Sequence, residues 1–344
     1  MRQRIHKVVI GSSFAGALGF FSAGGLSGAG GQVWHVPGDY PTIQAAVDAA
    51  AEGDTILVAP GVYSENVVVS TSRLELRGAG PVSPVERPGV SDGENVILDG
   101  TDLGGVGIGI HVLGASVAEP VTGVDVSRFE VRNFERGITV QWAAETRVSH
   151  NYLHDNLDKA APAVLGDGYG IELTSAWASD VSHNRISGNG FGGVRIGGAP
   201  GSTDNTVHHN RVEENGTQSP SNARNGAGIL VTGASNDNQI QHNEILATNG
   251  RGVVVTRPVA VAPITGILVA HNRAHGNQRA GIAIMGGATD NIVMHNDARE
   301  NNVSGMGPCF HCNLFDNSVG RNGGNIWANN LGTFGIPGDA CAMP

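Results

Sequence analysis

Two charged residues, Glu172 and Arg195, stand out where the equivalent positions of the sequence are mostly small or apolar. They occupy the same place in neighbouring repeats, so strand pairing between those repeats would set the carboxylate beside the guanidinium. Adjacent segments contribute further polar side chains, namely His154, Asp155, Asp158, Lys159, Asp167 and Arg224. Groups of these kinds transfer protons, bind charged ligands or hold cations through oxygen. The alternative is an ordinary surface ion pair, which contributes little to stability.

A repeated pattern determines where these residues lie. Six His-Asn pairs recur at intervals of 24 to 33 residues, each with an apolar residue two places before it. The pairs are His150-Asn151, His183-Asn184, His209-Asn210, His242-Asn243, His271-Asn272 and His295-Asn296. A further Asn follows about five residues on (Asn156, Asn189, Asn215, Asn249, Asn277 and Asn301), and a Gly-apolar-x-apolar segment comes next in five of the six cases. Such a repeat predicts a solenoid of stacked coils.

The Gly-apolar-x-apolar segment predicts the first strand of each coil. Alternation along this strand places its Ile or Val inside and the intervening residues outside. Strands stack about 4.8 Å apart, so equivalent residues form columns. One outward column is predicted to contain Gly109, Thr139, Glu172, Arg195, Leu230, Val254 and Ala283, and the other His111, Gln141, Thr174, Gly197, Thr232, Thr256 and Met285. Apart from Glu172 and Arg195, these columns are typical of a solvated sheet face.

Three insertions flank this strand. The step from the second repeated Asn to the strand Gly is short in most repeats, but it is fourteen residues from Asn156 to Gly170 and thirteen from Asn215 to Gly228. A third insertion, Arg257–Ile264, follows the first strand of a neighbouring coil. Long loops in a compact fold are usually functional or disordered. We therefore expect the insertions to form the walls of a cleft.

The repeated Asn and His residues are predicted to be structural. Asn tolerates a left-handed backbone, and its amide can bond to the next Asn in the stack. The His residues form a column as well, for which metal binding is the alternative. Their position beside the Asn ties them to the architecture of the turn.

Composition and charge exclude some functions. The 344 residues carry a formal net charge of −10 and contain only two lysines, Lys7 and Lys159, which argues against nucleic-acid binding. Residues 1–31 predict a secretory signal with a basic start, an apolar stretch and the small residues Ser27-Gly28-Ala29. That stretch is too short and too rich in Gly for a membrane span. We expect a secreted, extracellular or periplasmic protein, and its oligomeric state is left open.

Three cysteines, Cys309, Cys312 and Cys341, lie near the C-terminus. In a secreted chain they predict a disulfide from Cys341 to Cys309 or Cys312. The alternative is a zinc site built on Cys309-Phe310-His311-Cys312, although a second pair of ligands at suitable spacing is missing.

The N-terminal region carries a resemblance to a known group. A short amphipathic helix is predicted around Ile43, Ala46, Val47 and Ala50, followed by strands at Thr55–Ala59, Asn66–Ser70 and Leu74–Arg77. The run Asp39-Tyr-Pro-Thr-Ile-Gln-Ala-Ala-Val-Asp48, with Gly53-Asp54-Thr-Ile, Pro60-Gly-Val-Tyr63 and Glu65-Asn66-Val, resembles the start of right-handed parallel β-helix proteins of the pectin-lyase-like superfamily. The repeat resembles that group over residues 35–330. We expect an N-terminal cap and first coils over 32–100, further coils over 101–330 and a tail over 331–344.

The resemblance implies a carbohydrate-active enzyme acting on a polysaccharide, most simply a lyase for uronate-containing glycans. In that role Arg195 or Lys159 would be the base, with Glu172 and Asp167 as catalytic partners and ligands for Ca²⁺. His154, Asp155, Arg224 and Gln141 would bind substrate. A glycoside hydrolase, which needs two flanking carboxylates, a uronate epimerase, and a non-catalytic glycan-, cell-wall- or metal-binding protein are the alternatives. The motifs of pectin methylesterases and polygalacturonases are missing from the sequence.

Overall fold

The structure is a computed structural model that describes residues 31–80, 93–157, 168–218, 226–257, 263–302, 312–318 and 323–335. The predicted signal segment up to residue 30 lies outside these ranges. So do Lys159, Asp167, Arg224, Cys309 and Cys341. No helix in the described ranges is long and apolar enough to cross a membrane.

Three long parallel sheets form the walls of a right-handed β-helix, as predicted. Sheet 1 contains Val67–Val69, Ile108–Leu113, Arg136–Gln141, Tyr169–Thr174, Gly192–Gly197, Gly226–Val231, Gly250–Thr256, Ile282–Met285, Leu314–Asn317 and Phe334–Gly335. Sheet 2 contains Val33–Val36, Thr55–Val58, Glu75–Gly78, Asp125–Ser127, Arg147–Ser149, Asp180–Ser182, Thr206–His208, Gln239–Gln241, Leu268–Ala270, Ile292–Met294 and Ile326–Ala328. Sheet 3 contains Gly61–Tyr63, Val96–Asp99, Glu130–Arg132, Tyr152–His154, Arg185–Ser187, Arg211–Glu213, Glu244–Leu246 and Arg273–His275. A small sheet pairs Val121–Thr122 with Ala143–Ala144, and a 3-10 turn spans Thr101–Leu103.

The predicted cap helix is present at Ile43–Ala49. The Thr42 side chain accepts a hydrogen bond from the backbone N–H of Ala45, which satisfies one of the free donors at the helix start. Ile43, Ala46 and Val47 are buried against the first coils. The helix therefore covers apolar side chains that the end of a solenoid would expose.

The core consists of stacked aliphatic side chains inside the three sheets. In sheet 1 the inward residues are the Ile or Val after each Gly and the apolar residue two places later, as alternation predicts. Examples are Ile138 and Val140, Ile171 and Leu173, and Val194 and Ile196, all with 0% exposure. Burying such columns supplies the main driving force for stacking.

The repeated Asn residues form a continuous ladder at the corner between sheets 2 and 3, which confirms the structural prediction. Each side-chain amide donates to the side-chain oxygen of the Asn in the next coil. The ladder runs through Asn151, Asn184, Asn210, Asn243, Asn272, Asn296 and Asn330, with donor–acceptor distances of 2.9 to 3.1 Å. The same oxygens accept the backbone N–H groups of the preceding Asn, as from Asn184 to Asn210 at 3.0 Å. The ladder thereby satisfies buried turn groups and fixes one coil against the next.

The six His residues form the predicted column, but their backbone role differs from the expectation. Each lies in the left-handed region with φ between 53° and 58°, a conformation that we had assigned to the Asn. Adjacent imidazoles along the column stack with ring centroids 5.0 to 5.2 Å apart. All six side chains are exposed. The His therefore makes the turn, and the Asn that follows supplies the buried hydrogen bonds.

Two register predictions are wrong. The second repeated Asn of each coil forms a ladder of its own, as from Asn156 to Asn189 and from Asn189 to Asn215. In this second ladder, the position assigned to Asn249 is occupied by Thr248, whose backbone N–H donates to Asn277 Oδ1 at 3.0 Å. In sheet 1, Thr139 pairs with His111, and Gln141 pairs with Leu113. His111 therefore joins the column of Glu172, in the place predicted for Gly109. The coil of His111 precedes the first His-Asn pair, so the sequence repeat offers no register mark there.

Cys312 is disulfide-bonded, which favours the disulfide over a zinc site. The other two cysteines lie outside the described residues, so the predicted pairing with Cys341 stays a prediction.

Replacing Asn210 with Ala should destabilise the β-helix strongly. The substitution removes the acceptor of two Asn184 donors and a donor to Asn243 Oδ1 and to the carbonyl of Val181. Each buried group left without a partner costs about 1–3 kcal/mol, so we expect a total loss of about 3 kcal/mol in the free energy of unfolding. Urea titration followed by circular dichroism measures it. The control is His209→Asn, which keeps a residue that tolerates positive φ and should change stability by less than about 0.5 kcal/mol. Equal losses in the two variants would contradict the role of the ladder.

Candidate functional site

The predicted pair lies in the middle of sheet 1. Glu172 pairs with Arg195 across neighbouring strands, with Thr139 on one side and Leu230 on the other. Arg195 Nη1 contacts Glu172 Oε1 directly. The carboxylate is nearly inaccessible, at 6% side-chain exposure, whereas Arg195 is 28% exposed. The structure therefore places the two residues in contact, as their repeat positions predict.

A second arginine completes this group. Arg136 lies in the neighbouring coil, and its Nε is 3.2 Å from Glu172 Oε2. Both oxygens of Glu172 thus face guanidinium groups. Arg136 was not among the predicted site residues, because it precedes the strand Gly instead of lying on a predicted outward column. A search for charged residues next to that Gly would have found it.

His111 and Gln141 lie on the N-terminal side of this group. His111 is in the Glu172 column, separated from Glu172 by the coil of Thr139. Its Nε2 is 3.1 Å from Gln141 Oε1. Burial lowers the pKa of His111 below its ordinary value, and the charge of Arg136 acts in the same direction against the opposing effects of Gln141 and Glu172. The imidazole is therefore harder to protonate than that of a free histidine.

A surface depression of about 390 Å³ adjoins this histidine. It is lined by Val68 and Leu113, which pair with His111 and Gln141 respectively, and by Ser70, Glu119 and Pro120 among others. The outer face of sheet 1 thus continues from the depression across His111 to the Arg136–Glu172–Arg195 group. The outer face of sheet 1 is less solvated than predicted, because Thr139, Val254 and Ala283 in the column of Glu172 are at most 6% exposed.

His154 and Asp155 do not join this site, contrary to the prediction. His154 ends a strand of sheet 3 and is not part of an inserted loop. Its Nδ1 is 2.7 Å from Asp155 Oδ2, and its Nε2 is 3.2 Å from Glu130 Oε1. Although burial opposes it, bonding to Glu130 and Asp155 raises the pKa of His154. The prediction failed because a three-residue strand next to a long insertion looks like part of the loop.

The predicted Ca²⁺ site rests on Asp167, which is outside the described residues. Among the residues that the structure describes, no cluster of three His, Cys, Asp or Glu side chains has the arrangement to hold a metal ion. Glu172 would have to release a guanidinium to bind a cation. The roles of Lys159, Asp167 and Arg224 stay predictions.

A second group of polar residues lies on the His column of sheet 2. A depression of about 290 Å³ is lined by Arg147, His150, Asp180, His183 and His208, together with two serines. His208 contacts two polar side chains. Its Nε2 is 2.6 Å from Asp180 Oδ2, and its Nδ1 is 2.7 Å from His209 Nδ1. The sequence analysis missed Asp180 and His208, since neither belongs to the repeated His-Asn pair. This surface is the alternative binding face.

Replacing Glu172 with Gln should cost more stability than the same change in a similar ion group on sheet 3. Glu244 also bridges two arginines, Arg211 and Arg273, but its side chain is 30% exposed. We expect a loss of about 2 kcal/mol for Glu172→Gln, because two guanidinium groups lose a buried counter-charge. Glu244→Gln should lose less than about 1 kcal/mol. The free energies of unfolding in urea test this, and a larger loss for Glu244→Gln would show that the sheet 1 group is not the more strongly coupled one.

Comparison with known proteins supports the architecture. Residues 90–260 match the family described as right handed beta helix region. No curated protein matches the sequence. Among solved structures the chain is similar to the Dettilon tailspike protein gp208, with 16% identity and a TM-score of 0.59 over 89% of this chain and 63% of that chain. The chain thus spans less than two thirds of the tailspike's length.

Two further structures are similar. For the DFA-IIIase of Arthrobacter chlorophenolicus A6 in complex with DFA-III, identity is 16% and the TM-score 0.58, over 87% of this chain and 75% of that one. For XylC in complex with xylose, identity is 11% and the TM-score 0.58, over 88% and 70%. At such identities the likeness concerns the fold alone. With the family match and the three parallel sheets, it establishes that the chain is a right-handed parallel β-helix protein.

Proposed function

We propose that this protein is a secreted carbohydrate-active enzyme that acts on an acidic polysaccharide lying along the outer face of sheet 1. The reaction is β-elimination on a uronate unit. The observation that carries the proposal is a histidine on the same face as a group of two arginines and one carboxylate, two coils from Glu172.

The two guanidinium groups beside Glu172 suit a uronate carboxylate. Arginine stays charged in proteins and binds carboxylates through its planar fork of donors. Arg136 and Arg195 are each 28% exposed, so both can offer donors to a ligand while remaining in ion pairs with Glu172. Binding a carboxylate there would also stabilise the negative charge that develops when the neighbouring carbon loses its proton.

His111 is better suited to be the base than the arginines. With Gln141 Oε1 as the acceptor, Nε2 of His111 carries the proton, and the lone pair of Nδ1 can then act as the base. In the proposed step, Nδ1 takes the proton from the carbon beside the carboxylate. The electron pair left behind forms a carbon–carbon double bond as the bond to the glycosidic oxygen breaks, and that oxygen leaves as a hydroxyl after taking a proton from the imidazolium or from water. The base role first considered for Arg195 thus passes to His111.

Glu172 acts as a positioning residue in this proposal. Its carboxylate is too buried to touch a glycan, and it holds both arginines in place. A glycoside hydrolase would need a second carboxylate facing Glu172 across the scissile bond. Among the residues described on this column, Glu172 is the one carboxylate, which favours proton abstraction over hydrolysis.

The comparisons agree with a sugar ligand at a coarser level. Two of the similar structures are complexes with xylose and with DFA-III, although the fold by itself does not determine an activity. An epimerase would use the same base and the same carboxylate clamp but would return a proton to the opposite face. The nature of the product separates the two reactions.

The wild-type protein should generate an unsaturated uronate product from acidic polysaccharides, detected by its ultraviolet absorbance. We expect His111→Gln to lower kcat/KM at least about a hundredfold, the usual contribution of a general base. The matched control is His208→Gln on sheet 2, which should retain full activity. Reducing ends without the unsaturated product would identify a hydrolase, and inversion at the carbon without cleavage would identify an epimerase.

The pH profile gives an independent readout of the same base. Only the neutral imidazole is active, and the pKa of His111 lies below its ordinary value of 6.5. The acid limb of kcat/KM should therefore fall below pH 6.5, so that activity persists at pH 6.5 and is lost on further acidification. An acid limb above pH 6.5 would contradict the assignment of His111.

A further inference from the structure

Arg251 is a buried arginine without a carboxylate partner. It lies in the sheet 1 strand Gly250–Thr256 and is only 9% exposed. No described residue forms a hydrogen bond or an ion pair with its side chain. Burial lowers its pKa to about 10, and the positive charge of Arg279 acts in the same direction. The structure thus holds two like charges close together where one of them is largely removed from water.

The arginines on sheet 3 show the contrast. Arg132 pairs with Asp99 and Glu130, Arg185 with Glu213, and Arg273 with Glu244. These side chains are more exposed than Arg251 and still have acidic partners. An unpaired buried charge costs several kcal/mol, so its presence indicates a counter-charge that is supplied from outside the chain.

Arg251 lies on the same face as the proposed reaction site. In the strand register Arg251 pairs with Ala227, Ala227 with Gly192, and Gly192 with Tyr169. Arg136 occupies the same position in the next strand, so these residues form one row across sheet 1. This row is outside the main core: Ala280, which lies beyond Arg251, packs with Ala283 and Phe315 in a separate apolar cluster. Ala227 and Ala280, the neighbours of Arg251 on either side in the register, have small uncharged side chains.

We propose that Arg251 binds a carboxylate of the same acidic glycan that reacts beside His111. This inference rests on the proposed function, because it takes the ligand to be a uronate chain on sheet 1. Arg251 is three coils from Glu172, or about 14 Å along the axis. A glycan lying along the sheet would therefore reach it a few sugar units away from the reacting unit.

The test is the affinity of Arg251→Met for a polyuronate, measured by isothermal titration calorimetry on the full chain. We expect binding to weaken about tenfold or more, since a charge-assisted hydrogen bond is lost. The melting temperature should stay the same or rise, because the variant no longer buries an unpaired charge. Arg251→Lys, which keeps the charge, should recover part of the affinity. Arg273→Met on sheet 3 is the control and should bind as the wild type does.

Two results would overturn this site. One is wild-type affinity of Arg251→Met for the polyuronate. The other is a lowered melting temperature together with equal losses of affinity for polyuronate and for a neutral glycan, which would identify Arg251 as structural. The proposed reaction is tested separately: unsaturated product with unchanged affinity of Arg251→Met refutes only the site. Weakened polyuronate binding without unsaturated product refutes only the reaction.

Discussion

The satisfaction of buried backbone groups at the corners is the constraint on which the rest of this structure depends. Each turn between sheets 2 and 3 would leave amide groups without partners inside the protein, and the Asn side chains supply them. Because each Asn bonds to the Asn of the next coil, neighbouring coils are held in one register. A slip by one residue would break the ladder and would turn the aliphatic columns of the core outward.

This register brings distant residues together on sheet 1. Residues 23 positions apart in the sequence, Glu172 and Arg195, become neighbours because their coils stack without offset. The same alignment brings Arg136 to the other oxygen of Glu172 and sets His111 two coils away. Sheets 1 and 3 differ in whether their arginines are paired with carboxylates. On sheet 3 the arginines are paired with carboxylates, whereas on sheet 1 the buried Arg251 has no carboxylate partner among the described residues, which favours an anionic ligand.

Much of the fold was predictable from the sequence, because the His-Asn pairs mark the corner between sheets 2 and 3 and the Gly-apolar-x-apolar segments mark strands of sheet 1. The cap helix, the aliphatic columns and the contact between Glu172 and Arg195 follow from periodicity alone. The functional details depend on exceptions to the pattern. His111 was misplaced because its coil lacks the His-Asn pair, and Arg136 and Arg251 lie beside the strand Gly, where alternation is interrupted. His154 was assigned to a loop because a strand of three residues carries too little periodicity to be recognised.

The central claim is that sheet 1 is the surface that binds an acidic glycan. A crystal structure of the His111→Gln variant with a uronate oligosaccharide tests it most directly, since the variant should bind without turnover. We predict sugar density along the outer face of sheet 1, with one carboxylate at Arg136 or Arg195 and another at Arg251. Density confined to sheet 2 beside the His column and Asp180 would contradict the account.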